Sequence, residues 1–234
     1  GDICDIHPRA DDSSIKAKLS FSTKHFFSQR KKLLSEIVKR SFVLVREHGL
    51  RRNQIIGVGI GVPGLVDFIK GKVYYLPNVP HWQNTPLRNI LERTMRYRVF
   101  VDNDANLMAL AESRLGAAKG ARNALCLTLG TGVGGGLIFG GELFRGSRFC
   151  AGEIGHVPIA IAGKRCNCGG RGCLETYVGN AVILNEARKK FARKELTLEE
   201  LSELSKRGNV TALRIYKNFA EKIGIALSGI VNVL

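Results

Sequence analysis

The stretch CAGEIGHVPIAIAGKRCNCGGRGCLETY, Cys150 to Tyr177, decides how the rest of the chain is read. His156 precedes Cys166 by ten positions, Cys166 and Cys168 are separated by one residue, and Gly169-Gly170-Arg171-Gly172 leads to Cys173. Three thiols and one imidazole in so short a span make the Cys₃His donor set of a closed, tetrahedral structural zinc site. Thiolates that converge on one ion from a short loop need sharp backbone turns, and glycine reaches positive φ at no steric cost. The competing reading is a buried or disulfide-bonded loop in which the four residues merely fall close together. Glu153 and Glu175 bracket the knuckle. A glutamate is ordinarily a solvated surface residue. Attachment to a loop pinned through His156 and Cys173 favours a ligand-binding role for both carboxylates.

The bulk composition sets limits. With 234 residues and 44% apolar content, the chain is long enough for one large domain or two modest lobes. No apolar run approaches the ~20 residues of a membrane span. The polar, partly acidic start, Gly1 to Asp12, has no signal-peptide pattern. Six cysteines, three of them in the knuckle, fit a reducing compartment without a disulfide framework. Cys126, within an apolar run, reads as a buried thiol. The net charge of +16 is spread along the chain, for example at Arg30-Lys31-Lys32, Arg88 and Lys189-Lys190, as on solvated helix faces. No compact reading motif accompanies it, so nucleic acid is not an expected partner of this segment.

Upstream, the pattern is that of mixed strands and helices. Ile15 to Phe21 alternates like a half-exposed strand. A helix is expected over about 26–48 with Gly49 as its C-cap, and a buried strand over Gln54 to Ile60 ending in the turn Gly61-Val-Pro-Gly64. A hairpin is expected around Lys70-Gly71. Trp82 is expected as a core anchor. Thr85-Pro86 should start a helix reaching about Met95, Thr85 as N-cap and Pro86 as first residue. Val99 to Val101 is a short strand, Asp102-Asn103-Asp104 follows it, and a helix runs to about Leu115. Ala124 to Leu129 is a strand, and Gly130 to Gly136 is read as a glycine-rich turn before Leu137 to Phe139. Helices are expected over about 175–192, 198–206 and 210–233, the second opening with a Thr197/Glu200 capping box. Strands mixed with helices, and a glycine turn suited to phosphate between two strands, give an α/β class.

Glu153-Ile-Gly-His156, followed by Cys166-x-Cys168-Gly-x-x-Gly-Cys173-x-Glu175, resembles the signature of the ROK family of bacterial sugar kinases and sugar-responsive repressors. Val101-Asp-Asn-Asp-Ala-Asn106 and Leu129-Gly-Thr-Gly-Val-Gly-Gly-Gly136 extend the resemblance over roughly residues 55 to 180. It implies a two-lobed actin-like ATPase (ribonuclease H-like) fold, with a smaller lobe over 1–104 and a larger one over 105–234. The family's opening Asp-x-Gly-x-Thr phosphate loop is not found, since no glycine occurs between Gly1 and Gly49. Its final glycines near the adenine are also missing, so a chain incomplete at both ends is expected.

The resemblance also implies roles. Asp104 would be the general base; by position alone it competes with a helix N-cap role. Asn103, Glu153, His156 and Glu175 would bind sugar hydroxyls, His156 giving its second ring nitrogen to the metal, and Gly64 and Asn78 would complete the sugar site. Gly130, Thr131, Gly132 and Gly134 would hold ATP phosphates through backbone N–H groups. His156, Cys166, Cys168 and Cys173 would hold structural Zn²⁺. The expected activity is ATP- and Mg²⁺-dependent phosphorylation of a hexose by a cytoplasmic homodimer. The alternative is the sugar-sensing part of a repressor.

Overall fold

A computed structural model describes residues 3–6, 15, 17–26, 28–77 and 79–233. The chain divides into two compact units, Gly1–Asp104 and Ala105–Leu234. In the first, β1 (Ile3–Ile6) pairs antiparallel with β2 (Leu19–Ser22), and α1 spans Arg30–Glu47. Next come β3 (Val58–Val62), the hairpin of β4 (Leu65–Asp67) with β5 (Lys72–Tyr75), α2 (Leu87–Met95) and β6 (Val99–Asn103). β3 and β6 pair in parallel, Val62 opposite Asn103, with the hairpin and α2 forming the crossover between them. The core of this unit gathers Val66, Val73, Trp82, Leu87, Leu91, Val99 and Val101. Each such side chain, fully buried, contributes roughly 1.5–3 kcal/mol relative to exposure.

Two arginines that read as surface charges are structural here. Arg88 donates to the carbonyls of Phe68, Ile69 and Val99 at 2.8, 2.7 and 3.0 Å, tying the β4–β5 loop to β6. Arg30 donates to Thr85 Oγ1 at 2.8 Å and to the His81 carbonyl at 2.9 Å. Thr85 therefore does not cap α2. It is buried, exchanges backbone hydrogen bonds with Val73, and leaves Pro86 at the cap. The strand expected from Ile15 begins at Leu19, and the one expected from Gln54 begins at Val58, because Arg52–Gln54 coils into a 3₁₀ turn.

In the second unit, α3 (Asp104–Leu115, its first residue closing the first unit) precedes the antiparallel sheet of β7 (Ala124–Leu129), β8 (Val133–Phe139) and β9 (Glu142–Phe144). Then come the knuckle, α4 (Glu175–Val178), α5 (Asn180–Phe191), α6 (Leu198–Lys206) and α7 (Val210–Val231). The Thr197/Glu200 capping box forms as expected. Leu174, Val178, Ala187, Leu196, Leu201, Ile215 and Phe219 form the core.

Two expectations fail here for packing reasons. Gly134 to Gly136 lie in β8, not in a turn, and the turn is only Gly130–Gly132. A Cβ on Gly134 would lie 2.6 Å from Thr128 Oγ1 and 3.0 Å from Ala105 Cβ, and one on Gly136 would press on Ala109 of α3. These glycines let a helix lie close on a strand. The helix expected over 175–192 breaks at Gly179, which is extended (φ −63°, ψ 149°). Among the described residues no helix is long and apolar enough to cross a membrane.

Candidate functional site

The knuckle is folded by its own backbone. Ile159 N donates to Gly172 O, Gly172 N to Lys164 O, Cys166 N to Gly170 O and Leu174 N to Val157 O, all between 2.8 and 3.0 Å. Gly172 (φ +70°) lies so close to the Ala160 carbonyl that no Cβ would fit. The result brings His156, Cys166, Cys168 and Cys173 together, each ligand atom within 4.8 Å of the others. Cys168 Sγ is 3.7 Å from Cys173 Sγ, and Cys166 Sγ is 3.6 Å from His156 Nδ1. Tetrahedral zinc with bonds of about 2.3 Å to sulfur and 2.0–2.1 Å to nitrogen requires edges of about 3.8 Å (S···S) and 3.6 Å (S···N). The donor set and its spacing are compatible with structural zinc.

The electrostatics agree. Burial, then hydrogen bonding to the neighbouring thiols of Cys168 and Cys166, push Cys173 up to about 12. The Gly170 backbone N–H holds Cys168 below the ordinary thiol range. Sulfurs this crowded resist joint ionisation unless a cation sits among them.

His156 approaches the sulfurs through Nδ1, while Nε2 lies 3.9 Å from Glu153 Oε2. With a metal on Nδ1, Nε2 carries the proton and faces the carboxylate. Both side chains are about one-third exposed, at 35% and 38%. A polar, half-open pair therefore sits beside the knuckle.

Glu175 begins α4, two residues after Cys173. Its Oε2 accepts from Val133 N at 3.0 Å. The Gly130–Gly132 turn closes through Gly130 N to Gly132 O at 2.9 Å, and Gly130 O accepts from Asn180 N at 2.9 Å. A Cβ on Gly130 would meet nothing within 4 Å, so that face is open to a ligand. Gly132 instead makes room for the Glu175 carboxylate, and the glycine of Gly134 is explained by packing. No motif in the sequence signals the contacts of Glu175 and Asn180 with this turn.

In the first unit, Asn103 Nδ2 donates to the Gly64 carbonyl at 3.0 Å, so these two expected sugar contacts are neighbours. Gly64 has φ +94°, and a Cβ there would overlap the Tyr75 carbonyl and lie 2.9 Å from Pro77 Cδ. Asp104 follows as the first, exposed residue of α3, where the helix N-terminus favours a carboxylate. Asn78 lies outside the described residues.

An α/β chain with a parallel strand pair, a glycine turn between antiparallel strands and a Cys₃His knuckle defines a specific class of actin-like ATPase fold. A profile of the ROK family matches residues 17–234, and the chain belongs to that family. It is 36% identical over 201 residues to a glucokinase of Halalkalibacterium halodurans, covering 80% of this chain and 61% of the relative. It is 32% identical over 214 residues to a xylose repressor of Caldicellulosiruptor bescii, covering 86% of this chain and 53% of the relative. The chain thus spans little more than half the length of either protein. The ROK hexokinase of Thermus thermophilus superposes with a TM-score of 0.75 at 34% identity, covering 94% of this chain and 72% of that one. The Streptomyces griseus glucokinase, solved with glucose and AMPPNP, gives 0.78 at 27% identity, covering 97% and 75%. Kinases and repressors are both among its relatives.

Proposed function

We propose that these residues belong to an ATP-dependent hexose kinase, cytoplasmic and homodimeric, acting on glucose or an N-acetylated relative. The observation that carries this reading is Asn103-Asp104 at the carboxyl end of β6, with Asn103 hydrogen-bonded to Gly64. A repressor needs only to bind its sugar; a kinase also needs a base where the sugar hydroxyl is held. Asp104 accepts the hydroxyl proton as that oxygen attacks the γ-phosphorus. The bond from the γ-phosphorus to the β,γ-bridging oxygen breaks, and ADP leaves with the electron pair. Asn103, Glu153, His156 and Glu175 bind sugar hydroxyls, as do Gly64 and Asn78. The N–H groups of Thr131 and Gly132 hold phosphate oxygens, Gly130 shaping the turn by giving its own N–H to the Gly132 carbonyl, with Gly134 following them into β8, and Mg²⁺ bound with ATP neutralises phosphate charge. Structural Zn²⁺ on His156, Cys166, Cys168 and Cys173 fixes the loop that carries the carboxylates; it takes no part in the transfer.

The test is an ADP-release assay on the purified gene product over a panel of hexoses and N-acetylhexosamines. Turnover with one of them, lost in Asp104→Ala at unchanged zinc content, is expected. The second reading, the sugar-sensing part of a repressor, is favoured by the extent of the match to the xylose repressor. Saturable sugar binding with no ADP release from any sugar would replace the kinase by the sensor.

A further inference from the structure

We infer that Glu175 is a positioning residue for the phosphate turn, beyond its role as a sugar contact; this rests on reading Gly130–Gly132 as the phosphate turn. Three residues within the stretch 175–180 hold the turn. Glu175 Oε2 takes the Val133 N–H, the first amide after the turn, at 3.0 Å. Asn180 N donates to Gly130 O at 2.9 Å, and Gly179 lies against the Thr131 carbonyl, 3.1 Å from where its Cβ would be. That last approach gives a reason for the break between α4 and α5.

The carboxylate also explains Gly132. A Cβ there would fall on Glu175 Oε2, so residue 132 lacks a side chain to admit the carboxylate, whereas Gly130 faces open space. The segment is anchored at its other end to the knuckle. Thr176 N and Oγ1 both bond the Cys173 carbonyl, at 3.0 and 2.8 Å, and Leu174, fully buried, donates to Val157 O. One oxygen of Glu175 is thereby committed to the turn and the other is left for the sugar. The same side chain sets the backbone that meets the phosphates and contacts the group that receives one.

Two measurements test this. The first is amide hydrogen exchange at Val133 without any ligand. Glu175→Ala accelerates it about tenfold or more, as expected when a charge-assisted hydrogen bond is lost. Glu175→Gln, whose amide oxygen can still accept from Val133 N, stays within about threefold of the parent. The second is AMPPNP affinity in the absence of sugar, which falls about tenfold in Glu175→Ala and is largely restored in Glu175→Gln. Gly132→Ala supplies the converse: it weakens AMPPNP binding in the parent and less so in the Glu175→Ala background, where the obstructing carboxylate is gone.

Zinc content is measured throughout, so that a collapsed knuckle is recognised; the glutamine variant and the Gly132→Ala cycle then carry the test. A parent protein that binds no AMPPNP overturns the kinase reading, while exchange still decides the positioning role. Exchange at Val133 unchanged in Glu175→Ala at full zinc content overturns the positioning role itself, as does additivity of the two substitutions.

Discussion

The Pro63-Gly64 turn and the Cys166–Cys173 knuckle both present candidate sugar contacts on glycine-bearing loops, and they are held in shape by opposite means. Behind Gly64 lies an apolar core. Val66 and Val73 on β4 and β5 are 2% and 0% exposed, and Trp82 and Leu87 close over them. The turn would keep its shape with no ligand present. From Gly163 to Gly172 the knuckle is mostly exposed, Cys168 included, and the side chains it buries are those of Cys166 and Cys173, beside Leu174. Backbone hydrogen bonds shape it, yet three clustered thiols and an imidazole give it no apolar reason to stay closed. A bound ion would hold a loop of that composition closed, as a core holds the other.

The difference can be broken from either side, and the largest effect is expected at the metal. Cys173→Ser removes one thiolate and one bound zinc per chain. It loosens residues 153–177 and weakens sugar binding by at least about tenfold, while β3, β6 and α2 keep their exchange protection. Mass spectrometry under native conditions, sugar titration and exchange read this directly. Equal loosening of both units would remove the distinction. The same site should respond to pH. With Cys173 pushed up to about 12, zinc must displace its proton at neutral pH. Apparent zinc affinity therefore falls as pH drops from 8 to 6, by about tenfold per unit for each proton displaced, as a competitive chelator would report.

Asp104→Asn disturbs the chemistry and not the loop, lowering turnover by about 10²–10⁴-fold. It leaves zinc content intact and sugar affinity within a few-fold. A kcat within tenfold of the parent removes Asp104 as the base. On the core-held side, Leu87→Ala leaves a cavity under Val66 and Val73. It costs about 2–5 kcal/mol in denaturant unfolding of the first unit and leaves zinc stoichiometry unchanged. The smallest effect is at Thr197. Its hydroxyl accepts from Glu200 N at 3.2 Å, and Thr197→Ala should cost about 1 kcal/mol by thermal melting while leaving sugar and zinc binding unchanged.

Legibility in the sequence follows the same divide. The knuckle could be read because its four donors lie within eighteen residues and their chemistry is specific. The long helices and the Thr197 cap could be read because periodicity and capping are local. The contact of Glu175 with Val133 could not, because the partners are 42 positions apart and one of them is a backbone N–H. Gly134 to Gly136 were misread as a turn because three glycines in a row carry no record of what lies against them. Ala105 and Ala109 on α3 lie against Gly134 and Gly136, and the Gly152 carbonyl and Ile154 lie against Gly135 on the other face. Thr85 was misread in the same way: a good cap by type, it is drawn instead into a pairing with Val73 and a bond from Arg30.

Whether one ion organises the carboxylate-bearing loop is read out by X-ray absorption at the zinc edge of the purified protein. One zinc per chain is expected, with three sulfur neighbours at about 2.3 Å and one nitrogen at about 2.0 Å. A shell of oxygen and nitrogen alone, or protein free of zinc after gentle purification with the knuckle still ordered, would contradict it.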